Sequence, residues 1–149
     1  MVVGEAPGAD EDASGRPFVG KAGQLLTKML AAIGLAREDV FIGNVLKCRP
    51  PENRPPAPDE VASCRPYLEE QMRLLEPELI LVLGNHAARA VLATDRGISS
   101  IRGTITVSPE GRRVLPTFHP SYLLRNPDAK REAWLDLQLV AKTLELRIP

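Results

Sequence analysis

His119 opens the run His119-Pro120-Ser121-Tyr122-Leu123-Leu124-Arg125 and is one of 2 histidines in the chain. A histidine held at the mouth of a sheet stabilises negative charge as it develops on a leaving group. The plainer reading is a histidine that precedes a helix start. Beyond it, an exposed Leu-Leu-Arg would make an apolar wedge with a cation to anchor a phosphate. Asn44 stands alone among apolar neighbours in Gly43-Asn44-Val45-Leu46. An amide near the end of a buried strand must satisfy a donor and an acceptor. It either braces a loop or presents both groups side by side to one edge of a base. Phe18 lies in a loop bounded by glycines, as core or as a stacking face for a flipped base. Gly4-Glu5-Ala6-Pro7-Gly8 lacks the Lys-Ser/Thr of a P-loop and the three-glycine spacing of a dinucleotide fingerprint. It is an ordinary turn, or a place where backbone groups of Gly4, Glu5 and Ala6 meet a small planar ligand. His86, in Gly84-Asn85-His86-Ala87, caps or faces solvent and is assigned no role.

These residues fall where strands end. Met1 to Gly4, Val40 to Leu46 and Leu79 to Leu83 read as buried strands, and a last one ends near Phe118. Ile101 to Leu115 suggests a hairpin around Pro109-Glu110-Gly111, feeding that strand. Apolar residues at helical spacing predict helices over Lys21 to Leu35, Pro58 to Leu75, His86 to Ala93 and Asp128 to Leu146. The last should bury Trp134, Leu137, Ala141 and Leu144. Ala9 to Gly15 reads as a polar turn, and Cys48 to Pro58 as a stiff proline-rich loop. Strands alternating with helices imply a mostly parallel sheet covered on both faces. Ligands bind beyond the carboxyl ends of such strands, and the segments singled out above lie there.

Composition sets few limits. The chain has 149 residues, 44% apolar and 26% charged, with 19 basic and 19 acidic side chains. Any nucleic-acid footprint must therefore be local rather than global. No apolar run approaches the roughly 20 residues that span a bilayer. With no export signal at its start, a cytoplasmic location is expected, and Cys48 and Cys64 are read as thiols or metal ligands rather than a disulfide.

The ordered set is more specific than any member. GEAPG (4–8), GRPFVGKAGQLL (15–26), NVLKCRPPENRPP (44–56), Cys64 followed by RPYLEEQ, LVLGNHAA (81–88) and TFHPSYLLR (117–125) together resemble the family 4 uracil-DNA glycosylases, the thermostable iron–sulfur branch. The resemblance implies a three-layer α/β/α sandwich around a four-stranded parallel sheet. It implies DNA as substrate, single- or double-stranded, and hydrolysis of the N-glycosidic bond of deoxyuridine to leave an abasic site. Residue by residue, it places the backbone of Gly4, Glu5 and Ala6 in the uracil pocket and stacks Phe18 on the ring. Asn44 reads the N3–O4 edge, and His119 faces O2. Leu123 fills the space left by the flipped nucleotide, with Ser121 and Arg125 on the DNA. Where a related branch carries an Asp to handle water, this chain has Ala6, which leaves Glu5 as the candidate helper. Members of the family hold a [4Fe–4S] cluster through four cysteines, of which Cys48 and Cys64 match the later two. The earlier pair has no match, so the chain reads as a single glycosylase domain over 1–149, shortened at its start, with the cluster incomplete or absent. A monomer is expected. Two other readings stay open: a non-catalytic remnant that binds uracil or DNA, and a glycosylase of broadened base choice, for instance on hypoxanthine.

Overall fold

The computed structural model describes residues 1–149. Four strands run parallel in the order β2-β1-β3-β5: β1 (Val2–Gly4), β2 (Ile42–Asn44), β3 (Ile80–Leu83) and β5 (Arg113–Thr117). A fifth, β4 (Thr106–Val107), pairs antiparallel with the outer side of β5. The expected four-stranded parallel sheet is thus extended by one short strand, the first arm of the hairpin that turns at Gly111. Pro116 explains why that arm stays short. It has no N–H to give a neighbour, and β4 pairs only with Val114 and Arg113.

Side chains alternate across the sheet. Val2, Leu81 and Leu115 join one core cluster. Val3, Ile80, Val82 and Val114 join the other. The first is covered by α2 (Lys21–Ala32), α6 (Pro120–Arg125) and α7 (Lys130–Thr143). The second is covered by α3 (Pro58–Leu75), α4 (Gly84–Leu92) and α5 (Ile98–Ile101). This is the three-layer arrangement that the sequence predicts. Ile80, Val82 and Leu83 are at most 1% exposed. Each such side chain contributes about 1.5–3 kcal/mol by leaving water.

Two local expectations are corrected. Ala9 to Gly15 is a helix, α1 (Ala9–Ser14), rather than a turn. Glu11 returns its carboxylate to the Gly8 N–H at 3.0 Å, and Gly15 closes the helix at φ 73. Both are helix-end devices that outweigh the polar composition. The C-terminal helix is also shorter, with Leu137 and Ala141 buried but Trp134 and Leu144 only partly so.

The strands carry their chemistry at one end. Gly4, Asn44 and Thr117 are the last residues of β1, β2 and β5. β1 sits between β2 and β3, so successive connections leave it in opposite directions, which opens a crevice above its carboxyl end.

Candidate active site

The crevice is a cavity of about 280 Å³. Glu5, Ala6 and Pro7 from the turn after β1 form one side; Phe18, Asn44, His119 and Ser121 form others. Asn53 and Arg54 close it from the proline-rich loop, and Gly20 to Gly23 from the start of α2. The structure therefore brings together Glu5, Ala6, Phe18, Asn44, His119 and Ser121, which come from four separate segments.

Asn44 is 5% exposed, and its Oδ1 is a buried acceptor with no partner. An unpaired buried acceptor costs about 1–3 kcal/mol. A ligand carrying an N–H would relieve it. The strand end beneath is fixed by Lys47, whose Nζ donates to the Asn44 carbonyl at 2.6 Å and to Gln71 Oε1 at 2.8 Å. Burial holds the Lys47 ammonium below its ordinary pKa, an effect that negative charge on the nearby Cys64 sulfur would partly offset.

Gly4 lies behind the cavity rather than on its wall. A Cβ there would come within 2.4 Å of Phe18 Cζ and 2.6 Å of Asn44 Oδ1. The carbonyls of Gly4 and Glu5 accept from the N–H groups of Val45 and Leu46 at 3.0 Å each. The turn thus locks β1 to the segment that follows Asn44. Any side chain at position 4 would fill the space where the aromatic ring and the amide meet.

His119 caps α6. Its Nδ1 accepts from the Ser121 N–H at 3.1 Å, and the Ser121 hydroxyl lies 2.7 Å from the same nitrogen. A backbone N–H can only donate, so Nδ1 is the unprotonated nitrogen and the ring proton sits on Nε2. Burial, with a smaller repulsion from Arg125, pushes the pKa down to about 4. The imidazole is therefore neutral at pH 7, with one N–H to offer. The rings of His119 and Phe18 lie 5.7 Å apart, centroid to centroid.

Ser121 reaches the cavity, but its hydroxyl is spent on His119. Arg125 is exposed in the last turn of α6. Leu123 is corrected: it is 1% exposed and packs in the core, among Leu25, Met29 and Leu137. α6 turns this residue inward against α2 and leaves its neighbour Leu124 at the surface, 43% exposed. His86, given no role from sequence, has its Nε2 4.0 Å from Glu5 Oε2.

Sequence reasoning missed the groups that hold the Phe18 loop. Glu11 accepts from Gly8 N (3.0 Å), Val19 N (2.8 Å) and Gly20 N (2.7 Å). Burial alone would raise its carboxyl, but these backbone donors outweigh it and hold the pKa below the ordinary value. A carboxylate three residues after Gly8 was the available signal, a helix-start pattern. Arg37, from a turn before β2, has no such signal.

Cys48 is exposed and Cys64 half-buried; the Lys47 N–H donates to Cys64 Sγ at 3.4 Å, which puts that thiol beside the residue preceding Cys48. No group of three or more His, Cys, Asp or Glu side chains could hold a metal ion. Cys48 and Cys64 amount to half of the four thiolates that a [4Fe–4S] cluster takes. No helix is long and apolar enough to cross a membrane.

A neutral histidine, an aromatic ring and a buried amide oxygen without a partner thus meet in one cavity beyond the carboxyl ends of an α/β sheet. The family model of the Uracil DNA glycosylase superfamily matches residues 1–138. A Type-4 uracil-DNA glycosylase of Thermotoga maritima is 50% identical over 127 residues, 85% of this chain and 66% of that protein. One from Archaeoglobus fulgidus is 45% identical over 149 residues, 95% of this chain and 75% of that protein. One from Sulfurisphaera tokodaii is 45% identical over 139 residues, 88% of this chain and 63% of that protein. The chain belongs to the uracil-DNA glycosylase superfamily, and it spans between 63% and 75% of the length of these three relatives.

Proposed function

We propose that this chain excises uracil from DNA by hydrolysis of the N-glycosidic bond, as a repair enzyme that leaves an abasic site. The observation that carries the reading is the orphaned Oδ1 of Asn44. Uracil offers an N3–H to that acceptor and an O4 to the amide's N–H. Cytosine offers an unprotonated N3 and an amino group, so acceptor would meet acceptor and donor would meet donor.

A base stacked within a duplex cannot enter a cavity, so the nucleotide must be extruded. Phe18 then stacks on the ring, and Glu5 and Ala6 line its other side. The C1′–N1 bond breaks with its electron pair passing to the base. Negative charge gathers on O2, where the Nε2–H of His119 donates to it. A neutral donor that stays neutral holds the leaving anion without first protonating it, which is electrostatic catalysis by a fixed group. Water adds to the cation-like sugar carbon, and its proton passes to Glu5, a carboxylate that lines the cavity on the turn where Ala6 stands.

Lys21 lines the cavity beside the carboxylates of Glu5, Asp10 and Glu11, and Arg54 is paired with Glu60, so Lys21 and the exposed Arg125 are the cations for phosphates on a chain of net charge zero. Leu124 and Arg125, exposed on α6, complete the face toward DNA. A [4Fe–4S] cluster would draw two thiolates from Cys48 and Cys64 and two from outside these 149 residues. No step above depends on it. The reading is tested by incubating the chain with uracil-containing oligonucleotides and cleaving the products with alkali. Strand scission at uracil supports it, and intact strands overturn it.

A further inference from the structure

We infer that Arg37 is a positioning residue for the base-stacking platform, resting on the function proposed above. Phe18 sits at φ 50. That left-handed conformation is uncommon for a bulky side chain and persists only where its surroundings impose it. Charged side chains on both sides of the loop impose it. Arg37 Nη1 donates to the Phe18 carbonyl at 2.6 Å, and Nη2 to the Pro17 carbonyl at 2.7 Å. Nη1 also reaches Thr27 Oγ1 at 3.3 Å, whose own hydroxyl donates to the Gly23 carbonyl at 3.1 Å. The next two residues are held from the other side, where Glu11 takes the N–H groups of Val19 and Gly20. A cation therefore grips the carbonyls of residues 17 and 18, and an anion grips the N–H groups of residues 19 and 20. Four consecutive residues are held by two opposite charges brought from different elements.

The third wall is α2. A Cβ on Gly23 would lie 1.9 Å from the Phe18 carbonyl oxygen. The loop thus rests directly on helix backbone, and the oxygen is confined between that backbone and the guanidinium. Arg37 lies outside the cavity lining and 19 residues from Phe18 in sequence. It acts on the substrate only through the ring it orients. The planar fork of arginine reaches two carbonyls at once, whereas a lysine ammonium is a single point charge on a flexible stem. Loss of the fork frees the Phe18 peptide to leave φ 50 and takes the ring off the line of stacking.

A double-mutant cycle reads this out. Excision of uracil from a single-stranded oligonucleotide is measured for wild type, Arg37→Ala, Phe18→Ala and the double variant, alongside inhibition by free uracil. Arg37→Ala should lower kcat/KM about tenfold when Phe18 is present, and less than about twofold when Phe18 is already Ala. Free-uracil inhibition should weaken in the same pattern, and Arg37→Lys should fall between wild type and Arg37→Ala. Should Arg37→Ala fail to fold, Arg37→Lys goes through the same cycle. An equal loss in both Phe18 backgrounds, or none in the Phe18-containing chain, overturns the inference and leaves the proposed function standing. A wild-type chain that releases no uracil overturns the function first, and this inference with it.

Discussion

Phe18 and His119 face one cavity with ring centroids 5.7 Å apart and planes inclined at 33°. The apolar ring and the N–H donor come from opposite ends of the chain and meet at this cavity. Burial of the imidazole is the larger cause of its depressed pKa, and Arg125 the smaller.

That depression predicts the pH behaviour. With a folded pKa of about 4 against an ordinary value near 6.5, His119 stays neutral well below pH 6. The acid limb of kcat/KM that reports this group should lie near pH 4. Between those values the unfolded chain binds the extra proton and the folded chain does not. Stability from this group is therefore full above about pH 6.5 and is lost as pH falls toward 4. Arg125→Ala removes one cause of the depression and should move the acid limb toward neutral pH. A pH–rate profile of both chains, with an NMR titration of the imidazole, checks it; a wild-type limb at pH 6.5 would contradict the neutral-donor assignment.

Asn44→Asp changes the base-edge pattern without changing shape. Uracil excision should fall by about 10³-fold or more, because an amide donor is lost and a charge is buried. Single-turnover rates measure it. Near-normal rates would remove Asn44 from base reading.

Leu123 and Leu124 should behave differently although adjacent. Leu123→Ala should cost about 2–5 kcal/mol of stability and affect single- and double-stranded substrates alike. Leu124→Ala should leave the melting temperature nearly unchanged and slow excision from duplex more than from single strands, since only a duplex closes behind a flipped base. The comparison needs thermal melts and rates on both substrates. Equal losses on both substrates for Leu124→Ala would remove it from the DNA face.

Gly4→Ala puts a methyl 2.4 Å from Phe18 Cζ and 2.6 Å from Asn44 Oδ1. Either side chain must give way, so KM for uracil-DNA should rise and kcat fall together, by roughly 10²-fold in their ratio. A variant with wild-type kinetics would show that ring and amide do not meet over Gly4 when substrate is bound.

The sheet was legible in the sequence because buried strands such as Leu79 to Leu83 are continuous apolar runs, and helices such as α3 carry their own start signal at Pro58. The pocket residues were legible because they stand out by type: a lone Asn among apolar neighbours, a histidine before a proline. Leu123 misled because two adjacent leucines carry no sign of which one a six-residue helix turns inward. That choice is made by α2 and α7 packing on α6, which is tertiary. Arg37 was silent for a related reason. An arginine in Ala36-Arg37-Glu38-Asp39 looks like any solvated charge until the fold lays it across the Pro17 and Phe18 carbonyls. Glu11 lay between, with a helix-start pattern present but hidden in an acidic stretch that read as a turn.

The central claim is that this cavity selects a base by its N–H and C=O edge and releases it as an anion. The most direct measurement is base release from otherwise identical oligonucleotides carrying uracil, cytosine or hypoxanthine, quantified by alkaline cleavage. Hypoxanthine shares uracil's N–H and C=O pair but is a larger, purine ring, so it tests size where cytosine tests edge. The account predicts rapid release of uracil, none of cytosine, and hypoxanthine at best slow. Release of cytosine at a rate comparable to uracil, or no release of uracil at all, would contradict it.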